Sequence, residues 1–109
     1  MISNKLRGYL GFCAKARKLQ AGYNTCLRLI EKRRVKLLIV CGDAADNTIE
    51  KMTQKCRSGG IPVRVFGEKE ELSCITGRRE NSVFAVTDGQ FAKVIKEEID
   101  RIRSEGEVV

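Results

Sequence analysis

A chain of 109 residues, 42% of them hydrophobic and 32% charged, has the composition of one globular domain, which we expect to span residues 1–109. The sequence contains no apolar run of the roughly 20 residues that a membrane-spanning helix requires, and its first residues lack the apolar core of a signal peptide, so we expect a cytoplasmic protein. Because histidine is absent, His-based triads and the commonest zinc sites are excluded. Five cysteines without a Cys-x-x-Cys pair do not indicate a disulfide framework, and we expect most of them to be buried.

The net charge of +7 is concentrated near the amino terminus. Residues 1–36 contain ten of the 21 Lys and Arg residues and one of the 14 Asp and Glu residues, so their formal charge is +9 and that of the remaining residues is −2. A solvated basic face is the simplest explanation of such a segment. The asymmetry nevertheless favours a polyanionic partner.

Apolar spacing predicts two helices at the start of the chain. Ser3 or Asn4 can cap a first helix that runs to about Lys15, and a second helix begins near Asn24, after a break at Gly22. The second helix ends in a basic cluster at residues 32–34, where cations suit the carboxyl end of a helix dipole.

Strands and helices alternate over the rest of the chain. Strands are predicted at 36–41, 62–66 and 82–87, and each is followed by a helix. Asp43, Asp46 and Asn47 are candidate caps of the first of these helices, and Asp88 of the last. A frayed tail is expected at 104–109. This order predicts an α/β fold, a three-layer α-β-α sandwich around a small mixed, mainly parallel sheet.

Enzyme signatures are weak. The sequence has no Gly-x-Gly-x-x-Gly or Walker pattern, and a cysteine nucleophile would lack a histidine base. Asp43 and Asp88 each follow a predicted strand, where an acidic pair can hold Mg²⁺, but each also precedes a helix that it can cap. We favour capping, and therefore expect no enzymatic activity, no metal and no cofactor.

The start of the second helix carries the most informative pattern. Gly22 lets the backbone approach a partner closely, and the amide of Asn24 offers donors and an acceptor to a base edge. Arg28 and Lys32 follow at intervals of four residues, so they share a helix face with Asn24. An ordinary capped helix with a solvated basic side is the alternative interpretation.

Several segments in fixed order resemble a known family. They are residues 22–43, Asp46-Asn47-Thr48, the run from Pro62 to Gly67, and the run from Val86 to Ala92. Together they are similar to the ribosomal protein family of L-seven-Ae and L-thirty-e, and especially to its small bacterial members. The similarity extends from about Leu10 to Ile99.

The resemblance implies an α-β-α sandwich that binds kink-turn RNA through the amino end of the second helix and the loop before the last strand. The family recognises guanine edges in tandem sheared G·A pairs with a Gly-x-Asn-Glu motif. Gly22 and Asn24 match this motif, and Arg28 conservatively replaces a lysine one turn further on.

The sequence departs from the family pattern at two places. Thr25 occupies the position of the glutamate, and its hydroxyl is a shorter and weaker acceptor for the guanine donors than a carboxylate. The loop before the last strand carries Arg78-Arg79-Glu80-Asn81 instead of an apolar tip. Both changes weaken kink-turn specificity, whereas neither removes a basic RNA-binding face.

The sequence therefore predicts a non-enzymatic RNA-binding protein, ribosome-associated or otherwise linked to translation. Asn24 is assigned to base contact, with support from Thr25. The phosphate contacts are assigned to Arg28, Lys32, Arg78 and Arg79, and Lys15, Arg17 and Lys18 would extend this basic patch. The predicted RNA site consists of Gly22, Asn24, Thr25, Arg28, Lys32, Arg78 and Arg79. The alternatives are a general RNA-backbone binder without kink-turn preference and a protein–protein module with an acidic partner.

Overall fold

The computed structural model describes residues 2–107, which form four strands and five helices. The helices are α1 (Asn4–Lys15), α2 (Tyr23–Glu31), α3 (Asp46–Gly59), α4 (Lys69–Thr76) and α5 (Gly89–Glu107). The strands are β1 (Leu19–Ala21), β2 (Leu37–Val40), β3 (Val63–Val65) and β4 (Val83–Val86). No helix in this part of the chain combines the length and apolarity that a membrane span requires.

The strands form one mixed sheet in the order β1-β4-β2-β3. The mixed sheet is confirmed, but it is not mainly parallel, because β2 and β3 are the parallel pair whereas β4 runs antiparallel to both β1 and β2. The reason is that α4 is short and does not carry the chain back to the end of the sheet where β2 and β3 begin. Backbone bonds from Gly42 N to Gly67 O and from Cys41 N to Ser82 O, both 2.8 Å long, hold both ends of the β3–β4 connection at one end of the sheet. From there β4 can only run back.

The strand β1 was not predicted from the sequence. It is only three residues long, and one apolar–polar–apolar alternation, Leu19-Gln20-Ala21, is too short to indicate a strand. It is held by pairing with β4, in which Leu19 lies opposite Val86 and Ala21 opposite Phe84.

Two hydrophobic layers confirm the α-β-α sandwich. Phe84 and Val86 of β4 contact the core under α1, α4 and α5, whereas Val83 and Ala85 contact the core under α2 and α3. This alternation follows from the two-residue period of a strand, and it explains why β4 is buried along its whole length.

Side-chain caps fix several helix starts. Ser3 Oγ accepts a hydrogen bond from Leu6 N at 3.1 Å, and Asp88 Oδ2 accepts one from Phe91 N at 2.9 Å, as predicted for α1 and α5. Asp43 does not cap α3; its carboxylate accepts a hydrogen bond from Lys69 N at 3.0 Å and caps α4 instead, because the loops after β2 and β3 lie side by side. Asp46 and Asn47 are the first residues of α3.

The carboxyl end of the chain differs from the expected frayed tail. Residues 104–107 continue α5, whereas residues 108 and 109 lie outside the described residues. The apolar stripe of α5 includes Ile95 and Ile99, which are fully buried against the sheet and anchor this helix.

Candidate functional site

The amino end of α2 is shaped by Gly22. Its φ of +107° lies in a region that side chains disfavour, and a Cβ there would lie 3.4 Å from Asn81 Oδ1. Gly22 N donates to Val83 O at 3.0 Å, and Gly22 O accepts from Cys26 N at 2.9 Å. Glycine is therefore required for the backbone conformation, whereas the space beside Asn81 would admit a Cβ at ordinary contact distance.

The start of α2 is open to an anion. Gly22 provides no side-chain cap, so the first N–H groups of the helix point outward together with the positive end of the helix dipole. Asn24 and Arg28 are exposed on the first turns, and Thr25 is half-buried beside them. This arrangement can bind a phosphate at the helix end while it presents an amide and a hydroxyl to a neighbouring base.

The loop between α4 and β4 is folded around the side chain of Asn81. The side-chain Nδ2 donates to Arg79 O at 2.9 Å and to Arg78 O at 3.3 Å. The main-chain carbonyl of Asn81 accepts a hydrogen bond from Ser73 Oγ at 3.4 Å. Glu80 adopts a left-handed φ of +58°. Asn81 thus holds the backbone that carries the two arginines.

The structure brings these two segments together. The hydrogen bond from Gly22 N to Val83 O joins the amino end of α2 to the start of β4, and Asn81 Oδ1 lies 3.4 Å from where a Cβ of residue 22 would be. We call this end of the sheet the site end. Of the predicted site residues, Gly22, Asn24 and Thr25 lie there with the loop that carries Arg78 and Arg79, and Arg28 lies one turn along α2.

Other predicted basic residues lie elsewhere. Lys32 is the C-cap of α2, about 12 Å along the helix from Asn24. Lys18 lies just before the first residue of β1, at the end of the strand away from Gly22, and its carbonyl accepts a hydrogen bond from Thr87 N at 2.9 Å. Lys15 and Arg17 lie within the three residues before it. The expected extension through Lys15, Arg17 and Lys18 therefore lies at the opposite end of the sheet from Asn24.

Sequence analysis did not include Asn81 or Lys51 among the site residues. An asparagine just before a strand often folds a loop by bonding to the backbone, and this signal identifies Asn81. Lys51 of α3 lies over the ring of Tyr23, with Nζ 5.9 Å from the ring centre. No local sequence pattern indicates this contact between two helices.

Most of the cysteines are core residues, as the sequence predicted. Cys13, Cys26, Cys41 and Cys56 are buried, and Cys74 is exposed. Burial, with a smaller contribution from the neighbouring Cys56, raises the pKa of Cys26 on α2 to about 12. The Cys26 thiol stays protonated at neutral pH and lies 3.7 Å from Val83 O, so it packs α2 on β4 and is not a nucleophile.

The two aspartates considered as a Mg²⁺ pair are far apart. Asp43 follows β2 at the site end, whereas Asp88 follows the antiparallel β4 at the opposite end, and each caps a helix. Among the side chains that the structure describes, those of residues 2–105, no three of His, Cys, Asp or Glu lie close enough together to hold a metal ion.

A family model and two relatives match this chain. The model is described as the Ribosomal protein L7Ae/L30e/S12e/Gadd45 family and matches residues 4–96. RNA-binding protein YlxQ of Bacillus subtilis (strain 168) is 34% identical over 83 residues, which are 76% of this chain and 83% of that protein. RNA-binding protein YlxQ of Enterococcus faecium is 28% identical over 96 residues, which are 88% of this chain and 92% of that protein.

Two solved structures resemble the fold. A protein with unknown function from Bacillus halodurans C superposes with a TM-score of 0.86 at 33% identity, over 90% of this chain and 99% of the other. The Giardia lamblia 15.5kD RNA binding protein superposes with a TM-score of 0.72 at 18% identity, over 95% of this chain and 92% of the other. At that identity the second likeness shows the fold alone.

Proposed function

Because the chain belongs to the Ribosomal protein L7Ae/L30e/S12e/Gadd45 family, we propose that it is a non-enzymatic protein that binds structured RNA at the site end. The two YlxQ relatives are named for RNA binding, and neither name refers to an enzyme. We further propose that its RNA belongs to the translation apparatus, in keeping with the family description.

The observation that carries the proposal is the contact between the amino end of α2 and the α4–β4 loop. Gly22 lies against Asn81, so an RNA that meets the exposed amide of Asn24 also meets the loop with Arg78 and Arg79. Open N–H groups at a helix end and a nearby basic loop suit phosphates, whereas an amide suits a base edge. RNA recognition by shape and backbone with a few base contacts requires this combination.

The leading target is a kink-turn or a similar kinked RNA, and Asn24 is the residue that would contact the guanine edges. The second candidate is a general RNA-backbone binder. Thr25 favours it because a hydroxyl is a weaker acceptor than a carboxylate, and the arginine loop favours it because guanidinium groups suit phosphates.

The experiment that separates these candidates is a titration of the protein with two RNAs of equal length. One RNA contains a kink-turn and the other is a straight duplex, and both are measured at moderate salt with Mg²⁺. We expect a preference of tenfold or more for the kinked RNA, which corresponds to ~1.4 kcal/mol. Equal, salt-sensitive affinities would favour the general backbone binder, and no binding to either RNA would favour the module with an acidic protein partner.

Substitution of Asn24 tests the proposed base contact. We expect Asn24→Ala to lose ~1–3 kcal/mol of binding to the kinked RNA and to reduce its preference over the duplex. Gln54→Ala, which removes an exposed amide from the outer face of α3, is the matched control and should bind as the wild type does. Asn24→Ala with wild-type affinity and preference would remove Asn24 from the contact.

A further inference from the structure

Most of the basic residues near the amino terminus meet at one end of the molecule, opposite the site end. Lys18 and Lys36 lie on either side of β4, since Lys18 O accepts from Thr87 N and Lys36 N donates to Val86 O. Two strand spacings separate them by about 10 Å. We call this surface the basic end; its residues are Arg17, Lys18, Lys32, Arg33, Arg34 and Lys36.

The cations of the basic end are free to meet an external anion. All six side chains are exposed. The ion pairs found within residues 2–107 involve Arg7, Arg64 and Arg101, and none involves a residue of the basic end. Asp88, the acidic residue that follows Thr87, is engaged as the cap of α5.

Two positions of this surface carry arginine in a backbone conformation for which glycine is the usual residue. Arg17 and Arg33 have left-handed φ values of +61° and +58°, just after the ends of α1 and α2. The bonds from Lys18 N to Cys13 O and from Arg34 N to Leu29 O, both 3.0 Å, close these helix ends in the manner usually completed by glycine. Arginine is strained at such positions, so its presence at both indicates a use for its charge.

A line of exposed side chains connects the basic end to the site end. Asn24, Arg28 and Lys32 follow one another at four-residue intervals on α2 and are all exposed. Their spacing covers about 12 Å of the helix, so one ligand that contacts Asn24 can reach Arg28 and then Lys32.

We propose that the basic end is a second contact surface for RNA, which binds the sugar–phosphate backbone of a helical arm that extends from the RNA element held at the site end. This inference rests on the proposed function. The six side chains are all cations, and they present no aromatic anchor of the kind that protein interfaces use. Cations spread over about 10 Å without base-reading groups instead match successive phosphates.

The test compares two triple variants of the full chain that remove equal charge. Lys18→Gln, Arg34→Gln and Lys36→Gln neutralise the basic end without altering the strained positions. Lys5→Gln, Arg7→Gln and Lys96→Gln neutralise three cations on α1 and α5 away from it. Each protein is titrated with a kink-turn RNA over a range of salt concentrations, and with the same RNA after each helical arm in turn has been cut back to the kink.

We expect the basic-end variant to bind the intact RNA at least tenfold more weakly at moderate salt and to reduce the salt slope by about 3, as expected for three lost phosphate contacts. The control triple should change affinity less than twofold. Cutting back one arm should weaken the wild type to the level of the variant and leave the variant unchanged. If the triple variant does not fold, Lys18→Gln and Lys36→Gln are measured singly, each with an expected slope change of about 1.

The outcomes distinguish this inference from the proposed function. If the two triple variants have equal affinities and salt slopes while Asn24→Ala still weakens binding, the basic end is not a contact and the site end stands. If the wild type binds no RNA, both proposals fail.

Discussion

At residue 25 one side chain decides how closely this chain follows the Gly-x-Asn-Glu pattern that it otherwise resembles. Thr25 lies on the first turn of α2, where its Oγ1 would be 3.9 Å from a Cβ at position 22, and it is half-buried. A glutamate at this position would extend past the hydroxyl and place a carboxylate near the positive end of the helix dipole. The helix therefore tolerates either residue, and the difference between them concerns the ligand.

Replacement of Thr25 by glutamate should strengthen guanine recognition. We expect Thr25→Glu to increase the preference for kink-turn RNA over duplex by about tenfold, because a carboxylate accepts stronger hydrogen bonds than a hydroxyl by roughly 1–1.5 kcal/mol. Thr25→Val, which has the same shape without an acceptor, should reduce that preference. Equal preferences for all three proteins in the two-RNA titration would show that position 25 does not contact the base.

Among the helices, α1 and α5 are joined through a buried carboxylate. Glu98 of α5 is 4% exposed, and its Oε2 accepts a hydrogen bond from Ser3 Oγ at 2.7 Å. The same hydroxyl accepts the bond from Leu6 N that caps α1. Arg101 Nε donates to Glu98 Oε1 at 2.8 Å, so the start of one helix depends on a charged pair in another.

The pH dependence of stability should report this connection. Hydrogen bonds from Arg101 and then Ser3 lower the pKa of Glu98 from 4.5 to about 2. A carboxyl group with a lowered pKa in the folded state stabilises the fold above its unfolded pKa, and this contribution is lost as the pH falls from about 4.5 to about 2. We therefore expect Glu98→Gln to be less stable than the wild type at pH 7, and the deficit to shrink in acid.

Urea unfolding of the wild type and of Glu98→Gln at pH 7 and near pH 3 measures this difference. Glu97→Gln changes the exposed neighbour and should unfold with the wild-type midpoint at both values. A deficit of the same size at pH 7 and pH 3 would argue that Glu98 acts through its shape and not through its charge.

In the whole molecule, the site end and the basic end lie at opposite ends of one sheet. The sequence alone showed that charge was concentrated in residues 1–36, but it did not show where that charge lies. Helix periodicity correctly placed Asn24, Arg28 and Lys32 on one exposed face. It could not show that the face extends from one end of the sheet to the other, because that depends on the direction of α2 across β4.

The same limit applies to the fold and to the candidate site. All five helices and the strands β2, β3 and β4 could be predicted, because their apolar patterns and caps are local. The strand β1, the antiparallel direction of β4 and the transfer of Asp43 to α4 depend on contacts between distant segments. The family resemblance implied that the amino end of the second helix and the loop before the last strand act together, whereas the way Asn81 folds that loop required the structure.

The position of β4 has a consequence for the order of events during synthesis. It is the last strand to leave the ribosome, yet it lies between β1 and β2, where Leu19 and Leu37 both pair with Val86. A nascent chain that ends before residue 81 therefore has two separated pieces of sheet, and its Gly22 lacks both Val83 and Asn81. Pairing over such sequence distances is slow compared with local helix formation. The site end therefore cannot be completed until β4 has been made and has paired, so it forms late in folding.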